Sequence, residues 1–230
     1  MANNSVKAVD TGFQVSQLSF ETKNQIFSEI DILVIKDEPA QKSIACFDVN
    51  ANGVIAIGHH TLSNRKIICV YSNEGVFQYG YSFTDSGDFG IEWDEENLNI
   101  YFARSSLLVS VTPQGDVLDV LDVPYTRENN SYARRLLYST KRIVGDTEYI
   151  IGNKFGWMNL FAVSQSQMIK KNSTSEIVLY DVGTNQLINM IGIIFVCCVF
   201  VCIFIIAVVK QYKLWMKTQE KRDRMTPTEK

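Results

Sequence analysis

Histidine is almost missing from this 230-residue chain, which holds only His59 and His60, and proline is scarce, with 4 residues. Adjacent side chains in an extended segment point to opposite faces, so the two histidines are poorly placed to share a metal and read as loop decoration. Cysteine is nearly as thin. Of 5 cysteines, Cys197, Cys198 and Cys202 fall inside one apolar run, leaving Cys46 and Cys69 for the rest of the chain. Two such residues do not make a disulfide scaffold, and there is no Cys-x-x-Cys pair or Cys/His cluster of zinc spacing. A Gly-x-Ser-x-Gly elbow, a P-loop and a dinucleotide fingerprint are all absent, so the chain reads as a non-enzyme without catalytic, cofactor-binding or metal-ligating residues. The N-terminus (MANNSVKAVDTGFQVSQLSFETK) lacks the basic start and apolar stretch of a cleavable signal.

Long apolar runs are missing too, with one exception. Residues 187–209, from Leu187 to Val209 (LINMIGIIFVCCVFVCIFIIAVV), carry no charge, and Asn189 is their one clearly polar side chain. At about 1.5 Å per residue this run reaches roughly 34 Å, enough for a bilayer core of about 30 Å, and predicts a transmembrane helix. Charge separates across it. Residues 1–186 sum to −7 and residues 210–230 to +4. Lys210, Lys213, Lys217, Lys221, Arg222 and Arg224 follow the run closely, and Tyr212 and Trp215 fall at headgroup level. By the positive-inside rule the tail, residues 210–230, is expected in the cytoplasm and the larger domain outside the cell membrane. Against this stands the missing signal. Either the original start has been removed or replaced, or the protein is tail-anchored with its domain in the cytosol.

Before the run, short apolar stretches alternate with Gly, Asn and Asp turns at intervals too short for helices, an all-β pattern. Residues 44–49 (IACFDV), 54–58 (VIAIG), 67–71 (IICVY) and 76–83 (VFQYGYSF) read as four strands. The order recurs at 90–93, 98–102 (LNIYF), 107–111 (LLVSV) and 116–123 (DVLDVLDV), matching Phe47 to Trp93, Asp48 to Asp94 and Gly75 to Gly115. A period of about 40 to 45 residues with four strands per unit is the mark of a β-propeller blade. Three units are expected, at about 43–84, 85–124 and 132–182, together spanning residues 43–183. Residues 1–42 form an N-terminal segment with strand character at 13–20 and 29–35, able to complete a blade or cover an edge. The segments CVYSNEGVFQYGYSF and VSVTPQGDVLDVLDV resemble the bacterial extracytoplasmic β-propeller repeats of the NHL and related six-bladed type. That resemblance implies four-stranded antiparallel blades. Closure needs at least about four, so an open array or one that self-associates is expected.

The remaining polar features read as structural. The acidic stretch 85–96 lacks calcium-loop spacing and is expected to be a solvated edge. Asp48 and Asp94 are expected to bond the turns that follow them. Asn3, Asn129 and Asn172 begin glycosylation sequons, while Arg134, Arg135, Lys141 and Arg142 form a basic patch too small for nucleic acid. Cys46 and Cys69 fall on the first and third strands of one blade, too far apart to bridge. The expected function is a single-pass membrane protein displaying a β-propeller-like binding domain. The expected partners are the bilayer, a protein, peptide or glycan ligand, and a second copy of the chain. The alternative is a membrane-anchored sensor or assembly subunit, or a truncated propeller enzyme. With the strand repeat ending at Val182, the domain is expected to sit almost on the bilayer.

Overall fold

Asn50, Ser72 and Thr112 each open a turn of the same kind. In the computed structural model the N–H of each bonds the carbonyl four residues on, Val54, Val76 and Asp116, at 2.8–3.0 Å. Each side-chain oxygen also accepts a backbone N–H within the turn, as Asn50 Oδ1 does from Val54 at 2.9 Å and Ser72 Oγ from Val76 at 3.2 Å. The fourth residue must take a positive φ to reverse the chain, and Gly75 and Gly115 do so at +82° and +88°. These local choices cut the apolar runs into hairpins.

The structure describes residues 9–61, 64–160 and 164–225, which divide into two compact units at residue 183. The larger unit begins with β1 (Ser16–Gln17), α1 (Phe20–Ile30) and β2 (Leu33–Ile35). β3 (Cys46–Val49), β4 (Ile55–His59), β5 (Arg65–Tyr71) and β6 (Phe77–Thr84) form a first antiparallel meander, and β7 (Phe89–Asp94), β8 (Asn97–Phe102), β9 (Leu107–Val111) and β10 (Val117–Asp122) a second. After α2 (Arg127–Tyr138), a third meander runs through β11 (Lys141–Val144), β12 (Thr147–Gly152), β13 (Gln167–Lys171) and β14 (Glu176–Asp181). The N-terminal strands extend two of them: β2 lies outside β6 and β1 outside β10, giving five-stranded sheets, while the third sheet ends at β14. The N-terminal segment therefore covers edges and does not complete a sheet of its own.

The first sheet is the middle layer. Its Ala56, Ile68, Tyr81 and Phe83 pack against Phe89, Ile91, Leu98 and Ile100 of the second sheet. From its other face, Phe47, Ile55, Ile57 and Tyr71 pack against Tyr149, Ile151, Met168 and Tyr180 of the third. Each such fully buried side chain contributes about 1.5–3 kcal/mol. The second sheet's remaining face is closed by Phe13 and by Ala133 and Leu136 of α2.

Two helices and one boundary depart from the sequence reading. The strand character expected over 13–20 and 29–35 is confined to β1 and β2, and α1 fills the interval. Ser19 caps α1 by accepting from Thr22 N at 3.2 Å. The third repeat, expected from residue 132, begins at Lys141, because residues 127–138 form α2 under a Thr126 cap. Its buried residues, Asn129, Ala133 and Leu136, make a thin stripe at i, i+4 and i+7. Cys46 and Cys69 are free, buried thiols on β3 and β5, with β4 between them.

The second unit is helical. The apolar helix expected over 187–209 is part of α3 (Gly183–Met225), which continues through the basic residues after Val209. Among the described residues it is the one helix long and apolar enough to cross a membrane, and its most apolar stretch is not buried in protein.

Candidate functional site

The inner strands β3, β7 and β11 come together at one polar junction. Asp48 on β3 does not bond its own turn. Its Oδ2 accepts from Trp93 N on β7 at 2.9 Å, and its Oδ1 accepts from Arg142 Nε on β11 at 2.8 Å. Arg142 also lies over the Phe47 ring, 5.2 Å from its centroid. One carboxylate thus links all three sheets. Burial pushes the Asp48 carboxyl above its ordinary range, with the Arg142 guanidinium pulling it down. Arg142 is thereby drawn out of the basic patch expected from sequence, and Arg135 stacks on Tyr132.

Beside this link lies a buried acid. Glu92 on β7 is 6 % exposed and accepts from the Thr11 and Tyr132 hydroxyls. Asn99 Nδ2 donates to Asp10 O at 2.9 Å, and Asp94 Oδ2 accepts from Asp10 N at the same distance. The strand register places Glu92, Asn99, Ser110 and Asp119 side by side across the second sheet. This row ends in a Lys23–Asp119 ion pair, while Asn99 Oδ1 and Ser110 Oγ are buried without a hydrogen-bond partner. Burial raises the Glu92 pKa, opposed by the hydrogen bonds from Thr11, Tyr132 and Asn99. The stretch 85–96 is therefore not a solvated edge throughout: Asp88, Glu95 and Glu96 face water, but Glu92 and Asp94 are covered by residues 10 and 11.

The histidines separate. His59 is not in a loop but ends β4, 3 % exposed, with Nδ1 3.1 Å from Ser43 O and its ring stacked on Tyr180. Burial holds its pKa down to about 4. His60 turns away to Asp88, Nε2 to Oδ1 3.6 Å, and to Lys66, whose Nζ is 3.3 Å from its Nδ1. Among the described residues no group of three or more His, Cys, Asp or Glu is arranged to hold a metal. Burial also pushes the Cys69 thiol up to about 12 and the Cys46 thiol higher, so both are poor nucleophiles.

Of the sequons, Asn3 lies outside the described residues. Asn129 is 3 % exposed and donates its amide to Gln14 O and Pro124 O, both at 2.8 Å. Asn172 stands in the β13–β14 turn, where its Oδ1 accepts from Thr174 N and Ser175 N. A groove along α2, lined by Tyr125, Arg127, Asn130, Arg134 and Tyr138, is open and cationic. The titratable groups that the fold brings together, Asp48, Glu92, Tyr132 and Arg142, bond one another and the backbone. Sequence reasoning missed Glu92 and Tyr132, because their partners are 81 and 40 residues away. No family model, curated protein or solved structure matches this chain.

Proposed function

We propose that this chain is a single-pass membrane protein whose N-terminal domain is a propeller-like array of three blades, displayed outside the cell for binding and not for catalysis. The repeat carries this reading. Each sheet is built on a meander of four strands in chain order, and each meander closes with the same bond: Asp85, Val123 and Val182 donate N–H to the carbonyls of Asn64, Ser106 and Ser166, all at 2.8 Å. Two of the blades share the x-x-x-Gly turn seen in sequence. The buried acids support a structural role, since each is engaged by partners from another part of the fold. Surface features support binding: Tyr125, Tyr138, Ile143, Ile177 and Val178 are exposed. The charge asymmetry around α3 supports a cytoplasmic tail.

Outward display is tested by synthesis into microsomes, using Asn3→Gln as the background. Glycan addition is expected, with Asn172 in the β13–β14 turn as an acceptor, and is lost in the Asn172→Gln, Asn129→Gln double variant. An unglycosylated domain that external protease digests in sealed vesicles would place it in the cytosol and sink this topology.

A further inference from the structure

The three sheets treat their outer strands differently. β6 is covered by β2 through Leu33, Val34 and Ile35, and β10 by β1 through Ser16 and Gln17. β14 is the last strand of the third sheet, and no strand among the described residues pairs with its outer side. Its first three residues, Glu176, Ile177 and Val178, are all exposed, Ile177 at 52 % and Val178 at 49 %. Neighbouring side chains of a strand point to opposite faces, so apolar surface is bare on both. Such an edge is a template for another strand.

We propose that residues 176–178 of β14 pair antiparallel with the same residues of a second copy, joining two third sheets into one. The proposal rests on the membrane-anchored reading above. β14 ends at Asp181 and α3 begins at Gly183, so every copy in a bilayer carries this edge a few residues of chain from its span. Confinement to one membrane raises the concentration of one edge about another. The register then follows from three observations. A β-bulge at Leu179 interrupts the ladder to β13, and the first sheet's turn abuts there, with Leu179 O 3.1 Å from where a Cβ on Gly75 would stand. Pairing is thereby limited to the part before the bulge. Centring on Glu176 would set two carboxylates directly opposite, and centring on Val178 would run into the bulge. Centring on Ile177 sets Ile177 against Ile177 of the second copy, and Glu176 against Val178.

Cysteine cross-linking of the full chain in isolated membranes tests this, in a background with Cys197, Cys198 and Cys202 replaced by alanine. Directly opposed Cα atoms in an antiparallel pair lie about 4.5–5.5 Å apart, within the roughly 7 Å that a disulfide spans. With a mild oxidant, most of the Ile177→Cys chain is expected to shift to twice its mass. Glu176→Cys and Val178→Cys should cross-link to each other when co-expressed, and neither to itself. Asp181→Cys should remain monomeric. Monomer at every position, in a chain that stays in the alkaline-extracted membrane fraction, would overturn the pairing and leave the membrane reading standing. Equal cross-linking at all positions would overturn the register and with it the proposal. Loss from the membrane fraction would count instead against the span.

Discussion

Replacing Asp48 with alanine is expected to destabilise the domain by about 3 kcal/mol, more than any other single change at the junction. The loss leaves the Arg142 guanidinium, 19 % exposed, without its partner, and Trp93 N without an acceptor. Removing one member of a buried pair costs about 3–5 kcal/mol, and the residual exposure of this pair places it at the low end. Asp48→Asn should cost less, because an amide oxygen still accepts from Trp93. The double variant Asp48→Leu, Arg142→Met should recover part of the loss, since no charge is then stranded. Denaturant unfolding in detergent measures all three. A change within about 0.5 kcal/mol of wild type for Asp48→Ala, the range of ordinary surface substitutions, would mean that this carboxylate does not tie the sheets together.

Acid is expected to weaken the fold between about pH 6.5 and 4 through His59. Its pKa is about 4 in the folded protein against 6.5 for a free imidazole, so over that interval the unfolded chain binds the extra proton. Stability is fully present above 6.5 and falls with pH, reaching a loss of about 3 kcal/mol once the folded pKa is passed. Glu92 and Asp48 act with the opposite sign. Their folded pKa values are raised, so the folded state binds their protons first, and stability from these groups increases as pH falls through them. His59→Gln should flatten the acid slope of the melting temperature, while Glu92→Gln should steepen it by removing one opposing group. An unchanged slope in His59→Gln would assign acid sensitivity to other groups.

The strands were legible because their cause is local. Apolar runs such as IICVY and LLVSV are bounded by turns whose residues accept the conformations needed, and neither feature depends on distant chain. The apolar part of α3 was legible for the same reason. α2 was not, because RENNSYARRLLY is polar overall and its buried stripe is only three residues wide, Asn129, Ala133 and Leu136. The acids were misread because alternation assigns Glu92 and Asp94 to an outward face. That face is outward until Asp10 and Thr11 cross it from more than 80 residues away. His59 is partly the same case: Ser43 lies 16 residues back along the chain, but Tyr180 comes from the far end of the domain. Asp48 was recognised as structural, but a turn was the nearest partner visible in the sequence, and its actual partners sit on two other sheets.

Residues 10–17 precede by a long stretch of chain the strands they dock against. Thr11 bonds Glu92 and Asp10 bonds Asp94, Gln14 bonds Asn129, and β1 pairs with Leu121 and Asp122, so residues 10–17 lack these partners until more than 80 further residues have been made. The middle layer, by contrast, is nearly contiguous in chain and can form early as a platform for the sheets on its two sides. Contacts of such long sequence separation form slowly, and unpaired strands are vulnerable while they wait. Until β1 docks, β10 presents an edge as bare as that of β14. The N-terminal segment acts as a seam closed late, and the time to closure sets how long the newborn domain is open to aggregation.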